Sequence, residues 1–172
     1  VHFSLNCFST EYGDETTQMG HGRGYPIMSG YNSAPHKFII GWLSSENIQT
    51  ASEGIYKIKP LELPLPSGEI QMLKIPIYTE TSYYSGKDNV YYTLEFRRPI
   101  GYDTHLDDNF FGVSIRIAEL PEDGSFTSTQ TNVLKFGPNS NNWFLSLGES
   151  FIDNINGYNI TVLDLNDNEA KI

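Results

Sequence analysis

From Ile55 onward, apolar residues recur at every second position in short runs separated by Gly, Asn, Asp and Pro. Val90, Tyr92, Leu94 and Phe96 alternate with Tyr91, Thr93, Glu95 and Arg97, and Val113, Ile115 and Ile117 alternate with Ser114, Arg116 and Ala118. Leu73, Ile75 and Ile77 alternate with Met72, Lys74 and Pro76, while Tyr56 with Ile58, and Tyr158 with Ile160 and Val162, supply two more runs. Successive side chains of a strand point to opposite faces, so each run predicts a half-buried strand. Pro76, which has no N–H to give to a ladder, predicts an edge or a bulge. Short strands with no helical periodicity between them predict a mainly β fold, an antiparallel β-sandwich of about seven strands. Pro60, Pro64 and Pro66 predict a rigid lead-in to it.

Residues 1–50 have a different texture. They hold three of the four His, six of the 15 Gly and the single cysteine, Cys7. One stretch is helical in pattern: Ser33 suits a cap, Pro35 suits a first turn, and Phe38, Ile39, Trp42 and Leu43 recur at spacings of three and four. A short helix over 34–43 is expected, with Gly41 inside it at a cost of up to ~1 kcal/mol. The change of texture divides the chain into 1–50 and 51–172.

Composition narrows the function. The chain has 172 residues, 38% of them hydrophobic and 13% aromatic, enough to bury a core and to argue against disorder. Eleven basic against 21 acidic residues give a net charge of -10, the opposite of the basic surface that displaces counterions from phosphates, so nucleic acid is not an expected partner. The apolar stretch Phe38–Ile40 reaches only to Leu43, across Gly41, against the ~20 residues needed to span a bilayer, and no span is expected. Val1-His2-Phe3-Ser4 lacks the succession of a signal peptide and reads like the interior of a longer sequence. Cys7 cannot form an internal disulfide and is expected to be an unpaired structural thiol. Asn159-Ile160-Thr161 is a glycosylation sequon, a triplet common by chance. No Ser/His/Asp or Cys/His arrangement, phosphate loop or dinucleotide fingerprint is visible.

Taken alone, Glu11-Tyr12-Gly13-Asp14 with Met19-Gly20 reads as an acidic turn followed by a core methionine. Farther on stand Tyr31-Asn32-Ser33-Ala34-Pro35-His36-Lys37-Phe38 and Gly41-Trp42-Leu43. Together these strings resemble the gametolysin-like zinc metallopeptidases, a metzincin family in which Y-G-D-x(4)-M-G forms the Met-turn and N-x-A-P-x-K-x(3)-G-W-L forms the next helix. Tyr91-Tyr92-Thr93-Leu94-Glu95-Phe96-Arg97 with Gly101-Tyr102-Asp103 is similar to the family's Y-x-L-E-x-R and G-x-D segment. Phe151-Ile152-Asp153 and Gly157 to Val162 are similar to its closing strands.

The resemblance implies the C-terminal remnant of a metzincin catalytic domain in residues 1–50, followed by the β-sandwich. A metzincin needs H-E-x-x-H-x-x-G-x-x-H, in which three His hold Zn²⁺ and the Glu takes a proton from the metal-bound water. The helix carrying H-E-x-x-H is absent from this sequence. His2 falls where the third His would stand, so the resemblance implies that the chain begins just inside the motif, with His2 as a zinc ligand and Met19 as the apolar floor beneath the metal. It assigns no catalytic residue to this chain and implies that the chain alone does not hydrolyse peptides. The parent would be a secreted zinc metalloendopeptidase acting on a protein or glycoprotein substrate. His21, His36 and His105 lack the short ligand spacing of a replacement site, and His36 is expected to face solvent or cap a turn.

Asp164-Leu165-Asn166-Asp167-Asn168-Glu169 is similar to the D-x-N-D-N linker of cadherin repeats, whose oxygens bind calcium. The same residues suit a tight hairpin turn between strands over 158–164 and 170–172. Asp103, Asp107 and Asp108 form a second acidic loop, expected to be a solvated connection, with calcium as the other reading. Tyr83-Tyr84, Tyr91-Tyr92 and Trp143 permit a sugar- or peptide-binding face, although alternating Tyr is also ordinary strand packing. The alternative function is therefore a non-catalytic β-sandwich module that binds calcium, glycan or a protein partner.

Overall fold

The computed structural model describes residues 14, 16–17, 32–78, 89–104, 111–121, 131–136 and 143–172. Within them the chain is mainly β. A short helix α1 (Ala34–Ile39) precedes β1 (Ile48–Thr50), β2 (Lys57–Ile58), β3 (Met72–Pro76), β4 (Val90–Arg97), β5 (Gly112–Glu119), β6 (Thr131–Val133), β7 (Ser150–Asp153), β8 (Tyr158–Thr161), β9 (Asp164–Leu165) and β10 (Ala170–Lys171). A five-stranded sheet runs β1-β3-β4-β5-β6, a three-stranded sheet β2-β10-β9, and β7 pairs with β8. Among the described residues no helix is long and apolar enough to cross a membrane.

The inward face of the large sheet carries the expected alternation. Tyr92, Leu94 and Phe96 of β4 and Val113 and Ile115 of β5 meet Ile58, Phe151, Ile160, Val162, Ala170 and Ile172 from the smaller sheets in one buried core. Tyr92 meets Phe151 edge-on at 5.2 Å between ring centres, a contact of ~0.5–1.5 kcal/mol beyond its area. Its hydroxyl donates to Asp153 Oδ2 at 2.8 Å.

Four sequence expectations change. The sheet is not wholly antiparallel, because β1 pairs with β3 in parallel, Ile48 opposite Met72 and Thr50 opposite Lys74. β1 reaches no farther than Lys74, so among the described residues no strand pairs with Pro76 on that side, which is the edge position that its missing N–H requires. The helix ends at Ile39, not at residue 43, because Gly41 takes a left-handed φ of +76°. Gly41 N and Trp42 N then bond Phe38 O and Lys37 O at 3.0 and 2.7 Å, closing the helix with a Schellman turn. The run over 158–164 is divided, β8 pairing with β7 and β9 with β10.

The fourth change matters most. β4 and β5 are buried on both faces, not half-buried. Thr93, Glu95, Arg97, Ser114 and Arg116 are each at most 1% exposed, with Ala34 of α1, Asp14 and Thr16 lying against the polar side of the sheet. Ala34 and Leu43 join Leu61, Met72, Ala118 and Leu120 in a second, smaller core there, with Phe38 and Tyr91 packed against it.

Candidate functional site

On that covered face, three side chains point the same way from neighbouring strands. Glu95 and Arg97 lie two apart on β4, and Arg116 on β5 stands opposite Thr93, one step along from Glu95. Arg97 Nη1 and Arg116 Nε both donate to Glu95 Oε1, each at 3.3 Å. Glu95 Oε2 accepts the backbone N–H of Ala34 at 2.5 Å, which ties the first turn of α1 to the sheet.

Each arginine then reaches outward. Arg97 Nε donates to Glu62 Oε1 at 2.7 Å and Nη2 to Asp103 Oδ2. Asp103 closes a 3-10 turn (Gly101–Asp103) that starts at Gly101, whose φ is +61°. Arg116 Nη1 donates to Asp14 Oδ2 and Nη2 to Thr16 Oγ1, while Asp14 Oδ1 accepts from Thr16 N and Thr16 Oγ1 at 2.9 and 2.6 Å. Two guanidinium groups thus hold four carboxylates drawn from four separate stretches of chain.

Burial alone would discharge both guanidinium groups, but the carboxylates around them win and hold each more firmly protonated than a free arginine. Burial likewise acts to raise Asp14, and the adjacent Arg116 charge with its hydrogen bonds outweighs it, leaving Asp14 below the usual carboxylate range. Glu62 goes the other way. Burial and the neighbouring Asp103 charge dominate over Arg97, and Glu62 is pushed up to about 7. His36 Nδ1 lies 3.0 Å from Ser33 Oγ, a contact between side chains that satisfies no backbone group of the turn, and burial together with the Arg116 charge lowers its proton affinity. Lys37 is lowered by burial and by Arg97, and its Nζ donates to Leu61 O at 2.6 Å.

The sites expected from sequence fare differently. His2, Met19, Cys7, His21, His105, Asp107, Asp108, Tyr83 and Tyr84 lie outside the described residues. Asp103 is not in a solvated loop but fully buried on Arg97. Of the aromatic residues considered for a binding face, Tyr92 and Trp143 are buried, and Lys135 Nζ covers the Trp143 ring at 3.9 Å. The indole that is exposed is Trp42, at 72%. The segment 164–169 is a hairpin turn in which Asn166 Oδ1 accepts from Asn168 N and Glu169 N at 2.9 and 3.2 Å, and Glu169 pairs with Lys57 and Lys59. Among the described residues no group of three or more His, Cys, Asp or Glu side chains is placed to hold a metal ion.

The charge network was not foreseen as a site, because period-two patterning reads the polar half of a strand as facing water. A signal was present in the residue types. Opposite charges at Glu95, Arg97 and Arg116 on one face of adjacent strands are costly to leave unpaired and are satisfied together once a second layer covers them. No protein-family model, curated protein or solved structure matches the chain.

Proposed function

We propose that this chain is the C-terminal part of a secreted zinc metalloendopeptidase resembling gametolysin, with the end of a catalytic domain in residues 1–50 and a β-sandwich in 51–172. One observation carries the reading. Asp14 of the Y-G-D string, Ala34 of the N-x-A-P-x-K string, Glu95 and Arg97 of the L-E-x-R string and Asp103 of the G-x-D string meet in a single buried charge network. Strings spread from Asp14 to Asp103 that look like one family's pattern acquire a common physical purpose when each supplies one member of the same interior. That purpose is structural: the network fastens the end of the catalytic domain to the β layers behind it.

The described residues do not themselves provide a zinc site. The proposal assigns the metal to the upstream helix with His2 as third ligand, and Met19 to the floor beneath it, and gives this chain no proton-transfer residue. The parent reading frame tests it: the codons before Val1 should end in H-E-x-x-H-x-x-G-x, and a frame without that motif would sink the proposal. The isolated chain should in turn retain no stoichiometric zinc through dialysis.

The alternative, a non-catalytic module for calcium, glycan or a protein partner, draws on Trp42. Its exposed indole borders a groove of about 420 Å³ lined also by Leu43, Asn47, Leu63 and Gln71. A frame lacking the zinc motif would favour this reading.

A further inference from the structure

The Arg97 cluster is unbalanced. Among the described residues, Glu62, Glu95, Asp103 and Asp14 stand against Arg97, Arg116 and the half-buried Lys37, with His36 held toward its neutral form. Four acidic groups face three cations, and the side chains of Glu62, Glu95 and Asp103 are at most 1% exposed. An uncompensated buried charge is costly, and a carboxyl group avoids the cost by keeping its proton.

The geometry says which carboxyl keeps it. Glu95 accepts from both arginines and from Ala34 N, and Asp103 accepts from Arg97 Nη2. Glu62 has Arg97 Nε on Oε1, while its Oε2 is buried and has no hydrogen-bond partner among the described residues. A bare, buried carboxylate oxygen is the place where a proton removes the most unfavourable charge. Glu62 also lines the groove that Trp42 borders. Leu61 is anchored on both sides, its N–H to Phe96 O and its carbonyl to Lys37 Nζ. Leu63, Pro64 and Leu65 follow at once as the wall of the groove that Trp42 borders.

We propose that this cluster is a pH-sensitive latch, closed while Glu62 carries a proton and released when Glu62 ionises and turns from Arg97 toward the groove. The groups that face Glu62 are Arg97 and Glu95 from β4, Asp103 from the 3-10 turn and Lys37 from α1, with Arg116, Asp14 and His36 one step farther. The release is centred near neutrality, where Glu62 changes charge. The wall of the groove moves with it, and Trp42, on the same groove, reports the movement.

Tryptophan emission tests this directly. In the full chain carrying Trp143→Phe, Trp42 is the only indole. Its emission maximum should shift between pH 6 and pH 8.5 with a midpoint near 7, and the shift should vanish in Trp143→Phe/Glu62→Gln. A transition that persists with Glu62→Gln belongs to a histidine and overturns the proposal, as does an emission maximum that does not move in the Trp143→Phe chain. Should the Gln variant fail to fold, carboxyl-carbon NMR of the unmutated chain decides. One glutamate titrating near 7 supports the latch, and titration of every glutamate below pH 5.5 overturns it.

Discussion

Arg116 on β5 and Asp14 form an ion pair inside the protein although 102 residues separate them in sequence. The pair lies on the covered face of the five-stranded sheet and joins Asp14 of the Y-G-D string to β5. It is held on one side by Glu95 and on the other by Thr16. Removing one member of such a pair leaves the other charged and buried.

Arg116→Met should therefore destabilise the chain by about 3–5 kcal/mol, since Asp14 and Glu95 lose their shared cation together. Arg98→Met is the control: Arg98 pairs with Asp167, which is 79% exposed, and exposed pairs contribute ~0–1 kcal/mol. Urea denaturation of both variants measures the difference. Equal midpoints would mean that the network does not hold the fold.

Gly112 opens β5 beside the antiparallel bridge that Val113 forms with Leu145. A Cβ there would stand 2.7 Å from Leu145 O and 2.9 Å from Phe144 Cβ, and Val113 exchanges both backbone bonds with Leu145 at 3.0 and 2.8 Å. Backbone cannot swing aside as a flexible side chain can, so Gly112→Ala should cost about 1–3 kcal/mol. Gly68→Ala meets open space and bears only the strain of its φ of +89°, so it lacks this overlap and should cost less. The same denaturation series checks the order of the two, and the reverse order would contradict the close approach.

Acid should weaken the turn at Asp153. Burial tends to raise this carboxyl, and hydrogen bonds from Asn156, Tyr92 and Ile155 more than offset it, so the group is held below its ordinary value. A carboxyl with a depressed folded pKa contributes stability above its unfolded pKa of 3.8 and loses it as the pH falls through the lower folded value. Stability measured from pH 5 to pH 2 should fall less steeply in Asp153→Asn than in the unmutated chain. Parallel curves would show that Asp153 is not linked to folding.

Much of the fold was legible because local patterning and tertiary packing agree. Period two located β4 and β5 within a residue or so, and Pro76 marked the place where its strand runs out of a neighbour. The turn at Asn166 followed from its side-chain chemistry. The parallel β1–β3 pairing was not legible, since three residues, Ile48, Gln49 and Thr50, carry too little periodicity to announce a strand. Gly41 was visible, but its role was misplaced: nothing local distinguishes a tolerated helix glycine from one that ends the helix, and the +76° φ decides it. The charge network was the largest omission. Glu95, Arg97 and Arg116 look like surface residues until Asp14 and Ala34 are brought against them, and that is a long-range fact.

The central claim is that residues 1–50 end a zinc-binding catalytic domain, and His2 is where it can be tested most directly. In the chain extended upstream through the proposed motif, zinc should be stoichiometric and casein hydrolysis should be abolished by a chelator. His2→Ala should lower zinc occupancy and abolish hydrolysis, while His21→Ala and His36→Ala leave both largely intact. Loss of the metal with His21→Ala and not with His2→Ala, or an extended chain that binds no zinc, would contradict the account.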